Sequence, residues 1–245
     1  MGVSEKLRAF LKKFLYGDGL TCAACGAELF GEEPFCPSCL KSLPFHRGHI
    51  CSKCGRDIGG DYPVCAECKA DMPSYGRAHS VFSYEKDAVR MIRAFKTGKK
   101  YFAEIFGAEM AKKAKEYFPD ADLAVFIPMT ARAEKKRGYN QAELLAEVVC
   151  RETGIPLGRD VLVKTRDTGE QKTLTRKERA ENLRGSFRVH ERTKCRGKKI
   201  LIIDDVLTTG ATANAAAEAL LRAGALRADV LTVACVPRKG EKEVK

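Results

Sequence analysis

Two adjacent carboxylates, Asp204 and Asp205, directly follow the apolar run Ile200 to Ile203, and Thr208-Thr209-Gly210-Ala211-Thr212 comes next. Gly210 permits close backbone approach. The N–H groups of Thr208, Thr209, Gly210, Ala211 and Thr212 can converge on an anion where a helix begins, and the positive helix end adds to their field. The threonine hydroxyls supply further donors. The carboxylates would repel that anion; they suit hydroxyl donors or a cation a few ångströms away. A ribose 5-phosphate has both ends: its phosphate fits the turn and its 2- and 3-hydroxyls fit Asp204 and Asp205, with magnesium close by. As plain turn residues these would only cap a helix, but two acids before T-T-G-x-T exceed what a cap needs. No G-x-x-x-x-G-K-[ST] motif occurs, and no G-x-G-x-x-G follows a strand-like run.

A second constellation is made of thiols. Eight of the 11 cysteines lie between residues 22 and 68. The stretches from Cys22 and Cys51 both read C-x2-C-G-x4-G-x2-P-x-C-x2-C, so every cysteine recurs 29 residues later. Cys22, Cys25, Cys36 and Cys39 thus match Cys51, Cys54, Cys65 and Cys68. Two residues between cysteines let both thiolates reach one ion, and two such knuckles complete a tetrahedron. A segment this short folds only with metal. Zinc suits four thiolates best and iron is the runner-up. Closure of one site within each repeat is favoured over interleaving of the two. With every ligand place filled by sulfur, no position remains for a catalytic water. His46 and His49, between the repeats, read as linker residues. The thiols require a reducing compartment, so a cytoplasmic location is expected.

The elements that must position these residues follow from periodicity. Apolar runs at 77–85, 121–128, 161–165, 198–206 and 228–236 read as strands. They alternate with helical patterns at 87–118, broken near Gly98, at 140–154 and at 211–225. The fold class is therefore α/β, a parallel sheet flanked by helices with ligands beyond the strand C-termini. The organisation expected is an amphipathic helix at 1–19, a Cys-rich double ribbon at 20–70, the α/β domain at 71–238 and a disordered tail at 239–245. The start has no cleavable apolar leader, and no run approaches a membrane span. Net charge is +12, densest between Lys164 and Lys199 with 13 basic and five acidic residues. Anionic partners follow, phosphorylated small molecules or nucleic acid.

At its acidic pair and T-T-G loop the sequence resembles the type I phosphoribosyltransferases. More narrowly, "IPMTARAEKKRGYNQAELLA" (127–146), "TRDTGEQKTLTRKERAENLRGSF" (165–187) and "ILIIDDVLTTGATANAAAEAL" (200–220), behind a cysteine-rich start, resemble the ComF family of competence-associated proteins. The resemblance implies binding of 5-phosphoribosyl 1-pyrophosphate (PRPP) with magnesium, with Asp204 and Asp205 as the catalytic acidic pair. It also implies a pyrophosphate loop at Pro128–Arg132, and a closing loop from Thr165 to Arg184 that carries Arg166, Lys172, Arg176, Lys177, Arg179 and Arg184. Arg132, Arg137 and Asn140 become candidate ligand contacts, although the first two also read as a solvated basic run and Asn140 as a helix cap. The implied partners are PRPP or another ribose 5-phosphate and, as the alternative, single-stranded DNA or the DNA-uptake machinery. The acceptor and the oligomeric state are not legible.

Overall fold

Ile200, Leu201, Ile202 and Ile203 are each at most 1% exposed. Neighbouring side chains leave a strand on opposite faces, so this strand is covered on both. Burying each contributes about 1.5–3 kcal/mol. It is β5 (Lys199–Leu207) of a four-stranded, all-parallel sheet, joined by β1 (Ala78–Ser83), β6 (Arg227–Cys235) and β2 (Leu123–Phe126). The spatial order is β1-β6-β5-β2, which puts β5 inside the sheet.

The computed structural model describes residues 21–29, 31, 33–46, 48–165 and 185–237. The helix expected at 1–19, the basic residues Arg166, Lys172, Arg176, Lys177, Arg179 and Arg184, and the tail at 239–245 lie outside the described residues. Two short helices, α1 (Pro37–Ser42) and α2 (Ala66–Ala70), close the cysteine repeats. Around the sheet run α3 (Lys86–Lys96), α4 (Phe102–Tyr117), α5 (Ala131–Arg137), α6 (Gln141–Thr153) and α7 (Ala211–Arg222). In α3 the buried residues Ala88, Met91, Ile92 and Phe95 recur at helical spacing and leave Lys96 at its end. The strand expected at 161–165 does form, as β3 (Leu162–Lys164), but not in the main sheet. It pairs antiparallel with β4 (Phe187–Val189) in a separate ribbon. The expected basic run at 132–137 is helical, capped by the Thr130 hydroxyl on the Ala133 N–H and ended by left-handed Gly138.

The cysteine region is seated on the sheet. Phe45 bridges Phe82 of β1, and the two rings lie 4.6 Å apart. The Ala78 N–H donates to Lys53 O at 2.7 Å. Gly55 has φ +68°, and a Cβ there would strike the Ala78 carbonyl. His46 Nδ1 lies 2.7 Å from Asp57 Oδ2, and its Nε2 lies 3.2 Å from Cys235 Sγ at the end of β6. Burial opposes charge on His46, but the hydrogen bonds to Asp57 and Cys235 outweigh it and push its pKa up to about 10. Cys235 is thus part of this junction. Among the described residues no helix is long and apolar enough to cross a membrane.

His79 of β1 stacks on Tyr117 of α4 with ring centroids 3.9 Å apart, and among the described residues its Nδ1 has no hydrogen-bond partner. Burial first, then the charges of Lys113 and His46, hold its pKa down to about 4. The neutral ring is therefore the folded form. Its contribution is present above the unfolded value of about 6.5 and is lost as pH falls through about 4. A His79→Phe variant should lose less stability than wild type between about pH 7 and pH 4.5, by on the order of 2 kcal/mol in urea melts. Identical acid limbs in the two proteins would refute this assignment.

Candidate functional site

The chain leaves β5 at Leu207 and enters α7 at Ala211, with only Thr208, Thr209 and Gly210 between them. Gly210 takes φ +83°, a left-handed conformation that a side chain would disfavour. Among the described residues the N–H groups of Thr208, Thr209 and Gly210 have no acceptor, while Ala211 N–H is met by the Thr209 hydroxyl at 3.3 Å. Thr208 is exposed, and Thr209, Gly210, Ala211 and Thr212 are half-buried. Unpaired amides at the start of a 12-residue helix form an anion-binding concavity. All five turn residues expected from the sequence are thus brought together.

Asp204 and Asp205 lie within β5, three and two residues before its last residue, Leu207. Both are half-buried. Burial, and then the charge of Asp205, push the Asp204 carboxyl up to about 7. Asp204 Oδ1 accepts the Asp205 N–H at 2.8 Å. Asp205 is paired with a residue that sequence reasoning did not single out: Lys96 Nζ, 2.8 Å away at the end of α3. Burial disfavours the charge on Lys96, but Asp205 and Asp204 overcome it and raise its pKa. The acidic pair already attracts a cation, and its hard oxygen donors suit magnesium.

Two residues of the R-G-Y-N-Q segment hold this corner in place. The buried Tyr139 hydroxyl donates to Phe95 O and accepts Gly98 N–H at 3.1 Å, which ties down the end of α3 that carries Lys96. Asn140 Nδ2 donates to Ile127 O beyond β2 at 3.1 Å, and its Oδ1 accepts Ala142 N–H at 3.0 Å, the cap of α6. Both functional groups of Asn140 are therefore engaged within the fold. Arg137 Nη1 donates to Gln141 Oε1 at 2.9 Å. Arg132 is exposed in the first turn of α5.

The eight cysteines form two clusters, Cys22/Cys25/Cys36/Cys39 and Cys51/Cys54/Cys65/Cys68, each with its sulfurs within 4.8 Å of one another. Each repeat closes its own site; the two do not interleave. Sulfur pairs at 3.9 Å (Cys25–Cys36) and 3.7 Å (Cys54–Cys65) match the ~3.8 Å edge of a tetrahedron with ~2.3 Å zinc–sulfur bonds. Backbone amides donate to them: Cys36 N–H to Cys22 Sγ at 3.3 Å and Cys65 N–H to Cys51 Sγ at 3.4 Å. The thiols divide the charge unequally. The hydrogen bond with Cys68 pulls Cys54 down to about 5, and the same contact drives Cys68 up. Four crowded thiols cannot all ionise without a cation, so the donor set fits a metal. His49 Nε2 is near Tyr62 O at 3.1 Å, outside both clusters, as expected of a linker residue.

A family model described as phosphoribosyl transferase domain matches residues 135–245, and one described as double zinc ribbon domain matches residues 12–69. "Competence protein F" of Haemophilus influenzae is 25% identical over 230 residues, 91% of this chain and 86% of that one. "Competence protein ComFC" of Bacillus subtilis is 29% identical over 147 residues, 59% of this chain and 58% of that one. Over most of its length the chain is therefore similar to competence protein F, with a double zinc ribbon match ahead of a phosphoribosyl transferase match. "DNA utilization protein YhgH" of Escherichia coli is 34% identical over 109 residues, 44% of this chain and 47% of that one, so the match spans about half the length of that relative.

A pair of four-cysteine ribbons is thus joined to a parallel sheet whose C-terminal part matches the phosphoribosyl transferase domain. Lys96 and Tyr139 escaped detection because neither lies near the acids in sequence. Independent closure of the two ribbons makes a sharp prediction. Native mass spectrometry of the full chain should find two metal ions, and Cys51→Ser should lose one of them while the first site stays filled. Loss of both ions together, or of neither, would contradict independent closure.

Proposed function

We propose that this chain is a member of the ComF family, binds PRPP with magnesium at the β5–α7 turn and transfers or senses its phosphoribosyl group in DNA uptake. The observation that carries the reading is a half-buried acidic pair just ahead of a helix start with three unpaired amides. Asp204 and Asp205 would hold the ribose hydroxyls. Thr208, Thr209, Gly210, Ala211 and Thr212 would hold the 5-phosphate. Arg132, on the far side of β2, would face the pyrophosphate, with Arg137 and Asn140 fixing that loop. Lys96 would leave Asp205 or share it as the ligand arrives. Magnesium, when bound, neutralises charge on the pyrophosphate.

In transfer, the bond from the anomeric carbon to pyrophosphate oxygen breaks and pyrophosphate leaves with the electron pair. An acceptor nucleophile bonds that carbon and gives up its proton. The chain's contribution is positioning and electrostatics. Zinc is the metal proposed for both cysteine sites, in keeping with the double zinc ribbon match. The eight clustered thiols support a location in the reducing cytoplasm. The domain limits proposed are 20–70 for the ribbons and 71–238 for the transferase-like part.

The relatives' names favour a second reading, a nucleic-acid-handling factor that uses the fold to sense PRPP. Its surface would be the basic stretch from Lys164 to Lys199. Turnover separates the two: pyrophosphate release with magnesium across candidate acceptors supports transfer. Single-stranded DNA binding with a steep salt slope, weakened by K172E or R176E, supports the second reading.

Asp204 gives a test with opposite signs for stability and binding. Its folded pKa lies above the unfolded one, so its stabilising contribution is complete below about 4 and lost as pH rises through about 7. Asp204→Asn should therefore stabilise the free protein at about pH 8, by roughly 1–3 kcal/mol. The same change should abolish PRPP binding in calorimetry. Wild-type affinity for PRPP with magnesium should weaken roughly tenfold between about pH 8 and pH 6, as the acid protonates. Undiminished PRPP binding by the Asn variant would dismiss the assigned role.

A further inference from the structure

The phosphate-type turn is contacted from outside its own domain. Arg56, in the hairpin after Cys51-x2-Cys54-Gly55, donates through Nη2 to the carbonyl of Thr208. It is 7% exposed, its Nη1 is 3.4 Å from Glu67 Oε2, and its Nε has no hydrogen-bond partner among the described residues. A second contact comes from the linker: Tyr75, 3% exposed, places its hydroxyl 3.2 Å from where a Cβ on Gly210 would lie. Lys53 Nζ reaches Tyr75 O at 3.5 Å. The turn therefore rests on Arg56 and Tyr75.

The geometry of a peptide unit gives this contact a consequence. Across a trans peptide the carbonyl and the next N–H point in opposite directions. A guanidinium holding the Thr208 carbonyl toward the ribbon turns the Thr209 N–H away from it. That amide is one of the three without an acceptor. Arg56 also brings a buried positive charge next to a turn built for an anion.

We propose that Arg56 of the second four-cysteine ribbon is a positioning residue for the sugar-phosphate turn, fixing the Thr208–Thr209 peptide so that its amide faces the ligand. This deepens the reading of the turn as a ribose 5-phosphate site and rests on it. It also makes the second metal site part of that turn's support, because the Arg56 carbonyl accepts Cys51 N–H at 2.8 Å and Cys51 ligates the metal.

The test uses the full chain with both metals. In Arg56→Ala, the heteronuclear NOE of the Thr209 and Gly210 amides should fall in the ligand-free protein. Metal content and the melting of the sheet should stay as in wild type. The Kd for ribose 5-phosphate should rise roughly tenfold or more, and Arg56→Lys should recover part of the loss. Cys54→Ser, which empties the second site, should loosen the same two amides. Unchanged NOE values in Arg56→Ala would overturn the positioning role, and unchanged values in Cys54→Ser would overturn the metal's share in it. If wild type takes up no ribose 5-phosphate, the sugar-phosphate reading fails, while the ligand-free NOE comparison still decides whether Arg56 orders the turn.

Discussion

A strand buried on both faces has to become a helix within three residues, and that abrupt change governs this molecule. Ile200 to Ile203 anchor β5 so firmly that its exit cannot wander. The chain makes the change through left-handed Gly210, and the amides of Thr208 and Thr209 are left with no internal acceptor. Unmet donors are costly when water is excluded. A bound anion removes the cost, which is why such turns recur as phosphate sites. The proposed function begins as an unsolved hydrogen-bonding problem in the backbone.

The carboxylates add a second tension beside the first. Asp204 and Asp205 are adjacent, half-buried and mutually repulsive, and burial first, then the repulsion, raises the pKa of Asp204. Lys96 relieves part of it through Asp205. Tyr139 makes that relief specific by fixing the end of α3 from two sides. A ligand with hydroxyls at one end and a phosphate at the other would answer both tensions at once. A simple anion would answer only one.

What could be read from the chain followed physical range. The cysteine pattern was legible because metal ligation imposes fixed short spacings, and the repeat showed it twice. β5 and its turn were legible because an apolar run ending in acids and glycine leaves few alternatives. β3 was placed in the wrong sheet, because a three-residue strand carries no record of its partner. β4 alternates only once, with exposed Arg188 between Phe187 and Val189, too short a pattern to stand out. The same limit hid Lys96, Tyr139 and Arg56: each acts through contacts made across the fold, and nothing local marks them.

The two ribbons share a framework and differ in what they insert into it. Where the second repeat carries Arg56 and Asp57 after its first knuckle, the first carries Ala27 and Glu28. Those two second-repeat residues are the ones that reach Thr208 and, through His46, Cys235. The burial follows the same division. All four sulfur ligands of the second site are buried, whereas Cys25 of the first is exposed and Cys36 half-buried. The identical spacing secures the metal, so selection for metal binding leaves the inserted residues free to differ. The second copy uses that freedom to hold the turn, whereas the first packs Cys22, Ala24, Phe35 and Cys39 into the main hydrophobic core.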